Sequence, residues 1–398
     1  MRVSLLAGLT ALLVSASAAA SPPTLSEAFA SAWARQPEAL ADPELRAAAA
    51  ARCRAAFSPL ADAPAVALRE FSDRWRDDAG AREVEVELEA AIRLPGAWGA
   101  ARRAASAEAA GYAASVDSSR LQVAGEVRSR WAEARTAVAR AAVAGRRAAA
   151  ARALAEDVER RVRAGELARA EGNQAAAAAR VAEAELLTAR AESAKALRTW
   201  QAYTGLEQLP EAGEDPSETS DDVPHPAVTA AEARAAAAKA RARLASVERI
   251  GVPEVTLGLR RERPGSGVDY EEAILLGVRM PFGGLSRRRA GGATARGEAA
   301  AAAGALEQSR ARVSAERASA RVTLDAAREV ERLAAERAAL TRDTFDLYTR
   351  AFGLGEIGLA TRLRAQTERY DAEFDLEIAR IEHARAISAL NQSLGVLP

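Results

Sequence analysis

Cysteine occurs once and histidine twice among 398 residues, so neither an internal disulfide nor a Cys/His zinc site can be assembled. Aromatic residues make up only 4%, too few for a large dense core. Net charge is missing as well. The 55 Lys+Arg balance 55 Asp+Glu, without the basic excess of a nucleic-acid binder. After residue 20 no stretch of about eighteen apolar residues occurs, which argues against a further transmembrane helix. No glycine-rich phosphate loop follows a strand-like run, and no general base is evident beside a nucleophile. Catalytic residues, a cofactor and a resident metal are therefore not expected.

What is abundant is alanine, with arginine and glutamate behind it. Alanine is the best helix former but adds little apolar area, so the composition reads as long helices with thin cores. At the N-terminus, Met1-Arg2 precedes an apolar run, Val3 to Val14, that ends in small residues up to Ala20. Ala18 and Ala20 form an A-x-A cleavage pattern, so residues 1–20 read as a signal peptide with Ser21 as the mature N-terminus. No cysteine follows the cleavage site to take a lipid, and Cys53 reads as an isolated structural thiol.

The rest of the chain is written twice. Gln36-Pro37-Glu38, Pro64 to Leu68, Pro95, Gly165-Glu166-Leu167 and Gly205 recur in the same order. Their counterparts are His225-Pro226-Ala227, Pro253 to Leu257, Pro281, Gly355-Glu356-Ile357 and Gly395, roughly 190 positions later. Residues 21–208 read as the first repeat, 209–223 as a Pro/Gly/Ser/acid-rich linker, and 224–398 as the second repeat. Each repeat is expected to open with a helix (Leu25 to about Phe57; Val228 to about Ile250), followed by two β-like runs. A very long helix then runs from about Gly99 to Arg163, and from about Ala290 to Ala351. A Gly-Glu turn reverses the chain into a second long helix that ends at Gly205 or Gly395, each a C-cap signal. About 65 helical residues extend on the order of 100 Å, far more than a compact domain needs.

The β-like runs alternate. Val84, Val86, Leu88, Ile92 and Leu94 share one face of Glu83–Leu94, with Glu83, Glu85, Glu87, Glu89 and Arg93 on the other. Ile274, Leu276, Val278 and Met280 do the same in Tyr270–Met280. A run of about 9–12 residues with one apolar and one charged face suits a wall between lipid and a wet lumen. A half-buried soluble sheet would alternate in the same way. The export signal and the presence of only two strand pairs favour the membrane wall. Phe71, Trp75, Trp98, Tyr270 and Phe282 near the run ends suit interfacial girdles. Four strands cannot close a barrel, whereas three copies would supply twelve.

With these pieces in order, the sequence resembles the TolC-like outer-membrane efflux family over nearly all of the mature chain. The resemblance is carried by Thr24-Leu25-Ser26-Glu27-Ala28 with Pro37, and by Val278-Arg279-Met280-Pro281-Phe282-Gly283-Gly284. Gly355-Glu356-Ile357 with Leu363-Arg364-Ala365-Gln366, and the closing Leu390-Asn391-Gln392-Ser393-Leu394-Gly395, complete it. Length and short loops are most similar to the heavy-metal and RND-type branch. The resemblance implies a mainly α fold with a small transmembrane β part. It further implies a homotrimer with a long periplasmic α-barrel and a twelve-stranded barrel in outer-membrane lipid. Its partners would be a periplasmic adaptor and an inner-membrane pump, and the chain would be their passive exit duct.

By the same resemblance, Gly165, Glu166, Leu167, Gly355, Glu356 and Ile357 form the periplasmic tips that meet the adaptor. The plainer reading of these glycines is that they permit a sharp helix reversal. The family commonly places acids just beyond the second turn as a constriction. Here Thr361, Arg362 and Arg364 fall there, a departure that would favour anions. Alternatively Arg364 pairs with Glu368 on a solvated helix face. Glu85, Glu87 and Glu89 would line the barrel lumen. His225 and His383 read as surface histidines. The competing reading is a secreted or periplasmic coiled-coil scaffold without a channel.

Overall fold

The computed structural model describes residues 22–220, 223–248, 251–282 and 284–398; the signal peptide read in residues 1–20 lies outside them. The first half of the chain comprises α1 (Leu25–Trp33), α2 (Pro37–Ala56), β1 (Ala65–Ser72), β2 (Arg82–Ala91), α3 (Pro95–Arg163) and α4 (Arg169–Thr204). The second comprises α5 (Pro226–Val247), β3 (Glu254–Arg263), β4 (Glu271–Arg279), α6 (Leu285–Gly353) and α7 (Leu359–Ser393).

Local sequence explains most of the boundaries. Thr24 and Glu27 cap α1 reciprocally: the Thr24 hydroxyl accepts from the Glu27 amide, and the Glu27 carboxylate accepts from the Thr24 amide. The opening helix expected from Leu25 to Phe57 is in fact two helices. Pro37 restricts Gln36 to an extended backbone, which breaks the chain there, and then serves as the first residue of α2. α3 begins at Pro95 rather than Gly99 for the same reason: Leu94 is extended and Pro95 occupies the first helical position. α6 begins at Leu285 rather than Ala290, behind a left-handed Gly284. α3 and α6 each run 69 residues, on the order of 100 Å.

The helices form a row: α4 packs on α3, α3 on α7, and α7 on α6, with α5 laid against α3 and α6. The α3–α4 seam is made of Ala148, Ala151, Ala179 and Ala182. Small side chains let the two backbones approach closely, which is where the alanine excess is used. A denser core closes the middle of the molecule, where Leu25, Phe29, Val127, Trp131, Trp200 and Ile381 meet.

The linker between the repeats is a pinned strap. The Trp131 and Trp200 indoles donate to the carbonyls of Pro210 and Gln208, at 3.0 and 3.1 Å. Arg128, 5% exposed, forks onto Glu214 through two 2.7 Å bonds and also donates to Gln392 and the Val396 carbonyl. Asn391 donates to Glu214 and accepts from the Ser217 amide. Each charge buried here is paired and further hydrogen-bonded, the condition under which a buried ion pair is tolerated.

The four strands form one antiparallel sheet in the order β1-β2-β3-β4. The β2–β3 pairing joins the two repeats, opposing Leu88 to Leu257 and Val86 to Leu259. β1 and β4 are edge strands of this chain, each offering one row of backbone groups to a further strand.

Candidate functional site

Register sorts the sheet into two faces. Leu68, Val86, Leu259 and Ile274 form one cross-strand row, and Val66, Leu88, Leu257 and Leu276 form the next. These side chains face outward, with Ile274 78% and Leu276 73% exposed. A contiguous apolar sheet face of this kind needs a covering of lipid or protein. At about 3.4 Å per residue the strands extend roughly 27–34 Å, enough to cross a tilted barrel wall. Trp75 lies fully out in the β1–β2 connection, and Phe282 equally so beyond the opposite end of β4. Tyr270 is stacked under Arg261 and Arg263, at 4.5 and 5.0 Å. Aromatic rings at both ends of an apolar band suit membrane girdles.

The opposite face is charged. Glu83, Glu262 and Glu271 make one row, and Glu85, Arg260 and Ala273 the next. Arg69, on β1, serves three glutamates: it contacts Glu87 closely, Glu85 at 3.7 Å and Glu89 at 3.8 Å. Arg260 holds Glu83 at 2.9 Å and also contacts Glu262. Glu87 is only 5% exposed and is paired with Arg69. Composition could not reveal Arg69 in this role, because its partners follow from strand register.

At the far end of the long helices, the two turns have the same geometry. In the first, the Gly165 amide donates to Val162 and the Glu166 amide to Arg161; in the second, Gly355 donates to Phe352 and Glu356 to Ala351. This crossed pair of bonds is the Schellman closure, and it needs the left-handed glycine found at both places, φ +79° and +77°. The turns differ in charge. Glu166 is held by the Arg161 guanidinium at 3.1 Å, and the position matching Arg161 in the second hairpin is Ala351. Gly165, Glu166, Gly355 and Glu356 are exposed, while Leu167 and Ile357 fold back against a shared plug of Leu154, Val158, Phe352 and Leu359. The two tips are thereby welded side by side.

The three residues beyond the second turn separate. Arg362 is half-buried and lies on the Phe352 ring, 5.3 Å from its centroid, with Arg161 on the same ring at 5.1 Å. Burial lowers its pKa from the usual arginine value, opposed by the charge of Asp157. Thr361 and Arg364 stay exposed. Arg364 forms no ion pair with Glu368 among the described residues, so that reading of it is set aside.

The histidines are corrected as well. His225 is buried; its Nδ1 accepts from the Ala227 amide to cap α5, and Nε2–H then donates to the Gln392 carbonyl. His383 is half-buried and holds Glu331 at 2.6 Å. No group of three or more His, Cys, Asp or Glu among the described residues could hold a metal ion. No helix among them is long and apolar enough to cross a membrane.

A four-stranded, two-faced sheet at one end of helices about 100 Å long is the fold to be compared with known proteins. Residues 223–396 match the outer membrane efflux protein family. No curated protein sequence matches the chain. The whole fold is similar to the CmeC outer membrane channel of Campylobacter jejuni, at 13% identity, TM-score 0.75, and coverage of 93% of this chain and 85% of that one. It is similar also to the outer membrane protein VceC of Vibrio cholerae (19%, TM-score 0.73, coverage 94% and 96%). The open-state MtrE channel of Neisseria gonorrhoeae gives 16%, TM-score 0.71, and coverage 94% and 89%. The sequence match is thus confined to residues 223–396, while the fold is shared over 93–94% of the chain.

Proposed function

We propose that three copies of this chain form the passive exit duct of a tripartite efflux system, fed by an inner-membrane pump through a periplasmic adaptor. One observation carries the trimer: the sheet has an exposed apolar face and two edge strands, yet only four strands. A sheet left open in lipid would hold unpaired backbone groups, each costing several kcal/mol. Pairing β4 of one copy with β1 of the next removes both edges, and three copies bring the strand count into the range of closed barrels. The charged face, with Glu85, Glu87 and Glu89, then lines the lumen, and the apolar face meets lipid.

In this assembly the exposed parts of both tips, Gly165-Glu166 and Gly355-Glu356, meet the adaptor, supported from behind by Leu167 and Ile357. Thr361 and Arg364 are the residues of the constriction set free to face a pore; Arg362 instead holds the two tips together through Phe352. A helical scaffold without a channel would have no use for the apolar face. The test is native mass of the protein extracted from outer membranes. Three chains support the duct, and a single chain in the soluble periplasm would refute it. For the constriction, conductance that favours anions and loses that preference in Arg364→Ala is the expected result. Unchanged cation selectivity removes Arg364 from the role.

A further inference from the structure

The outward, apolar face of the sheet is charged at one end only. Its three rows nearest the helices, those of Ala90, Leu88 and Val86, hold nothing but alanine, valine, leucine and isoleucine. The row of Val84 then brings in Glu70, Arg261 and Glu272. The last row, at the hairpin connections, sets Ser72 against Arg82 and Arg82 against Arg263. Strand alternation alone therefore gathers every charge of this face into its two rows farthest from the helices.

The last row is unbalanced. Arg82 and Arg263 stand directly opposite each other across the β2–β3 ladder, where like charges repel. Arg261, one row nearer the helices, is paired with Glu272 at 3.6 Å. Neither Arg82 nor Arg263 has such a partner among the described residues. Arg263 donates Nε–H to the Gly80 carbonyl at 3.0 Å and lies on the Tyr270 ring, which fixes its fork and leaves the terminal nitrogens to a ligand. Arg82 is exposed. The nearby acids are engaged or placed elsewhere. Asp73 accepts from the Ala81 amide, Glu70 lies in the next row, and Asp77, Asp78 and Asp269 belong to the connections. Two opposed guanidinium forks relieve their repulsion best by sharing a phosphate, whose oxygens suit bidentate donors.

We propose that this end of the sheet binds a lipid bearing an anionic phosphate, with the headgroup on Arg82 and Arg263 and the acyl chains on the apolar rows beneath. This rests on the duct reading above, in which the hairpin end, farthest from the helices, meets the outer leaflet. Geometry selects a lipid over a free anion. A headgroup held by the two arginines places its chains along rows that begin roughly 14 Å below it and end roughly 27 Å below. Exposed Trp75, flanked by exposed Arg74 and Arg76, lies in the β1–β2 connection at the same end, and Tyr270 is beside the last row. Rings and cations together are the usual furniture of a headgroup layer. The opposite margin, with Ala90, Val255 and Val278, has no charge, so the preference is confined to one leaflet.

The test uses the full-length protein purified from membranes and delipidated in detergent. It is titrated with dioleoyl phosphatidic acid, dioleoyl phosphatidylcholine or inorganic phosphate, and bound lipid is read by native mass spectrometry. Phosphatidic acid is expected to bind about tenfold more tightly than phosphatidylcholine and to resist an excess of inorganic phosphate. Arg82→Gln should remove most of that preference, whereas Arg279→Gln, on the charged face at the other end, should keep it. Melting separates recognition from structural support. Without lipid, Arg82→Gln should melt no lower than the parent, because it loses a repulsion and no partner. With phosphatidic acid the parent should gain more than the variant. Equal binding of the two lipids, or displacement by inorganic phosphate, overturns the headgroup site and leaves the duct standing. A protein that binds neither lipid and stays soluble without detergent overturns the duct reading itself.

Discussion

α3 and α6 each follow a pair of strands and have the same length, yet they live in different surroundings. α3 buries Leu121, Val127, Trp131, Val143, Leu154 and Val158, because α1, α2, α4, α5 and α7 all pack on it. α6 buries few large side chains, among them Val313, Leu324 and Phe352, and turns a regular stripe of valine and leucine outward. One long helix organises the chain's interior, and the other leaves most of its large apolar side chains exposed. The difference teaches that the interior of the chain is built on α3 rather than α6, and substitutions on the two helices should separate in their effect on folding.

The largest effect is expected beneath α3. Arg128→Met leaves Glu214 buried without its partner, so it should destabilise the folded chain by about 3–5 kcal/mol. Chemical denaturation measures this, and loss of the ordered strap should appear as faster proteolysis between residues 205 and 220. Next comes the direct contrast between the helices. Leu154→Ala, in the plug under the tips, should cost about 2–5 kcal/mol of chain stability. Leu340→Ala should leave the stability of the isolated chain within about 0.5 kcal/mol, as exposed positions do. Equal effects on chain stability would dissolve the contrast.

The turns sharpen the comparison on a smaller scale. Neither Gly165 nor Gly355 has an atom within 4 Å of an added Cβ, so only the left-handed backbone opposes alanine. Gly165→Ala and Gly355→Ala should each cost about 1–2 kcal/mol locally, read as increased amide exchange at the tips. Unequal costs would show that the second turn is held by something beyond its backbone.

The smallest effect is a pH dependence, at the junction where α5 meets the end of α7. Desolvation lowers the His225 pKa below 6.5, with Arg317 and Arg312 pulling the same way, against the Gln392 carbonyl and Glu316. Folded His225 therefore resists a proton that the unfolded chain accepts. The stability it contributes is present above pH 6.5 and lost as pH falls below that value toward the folded-state pKa. Thermal melts from pH 7 to 5 should show this loss, and His225→Asn, which can still cap α5, should flatten it.

Much of this architecture could be read before any coordinates, and for identifiable reasons. The duplication, the strand alternation and the turn glycines are local patterns that depend only on neighbouring residues. Thr24-x-x-Glu27 marks a helix start on its own, and Gly165 and Gly355 mark helix ends. What escaped depends on partners distant in the chain. Arg69 meets its three glutamates only through the β1–β2 register. Arg128 finds Glu214, Gln392 and Val396 across most of the chain's length, so a segment read from composition only as a linker is a clamped strap. His225, beside two prolines in an acidic stretch, has the sequence context of a surface residue, and only tertiary packing buries it. Arg362 and Arg364 are two positions apart, and helix geometry alone sends one into the seam and the other to solvent.

The most direct test of the duct is ion conductance of the purified, membrane-extracted protein in a planar lipid bilayer. Discrete, long-lived conductance steps are expected from the three-chain fraction and none from a dissociated chain. A folded three-chain fraction that inserts and carries no current would contradict it.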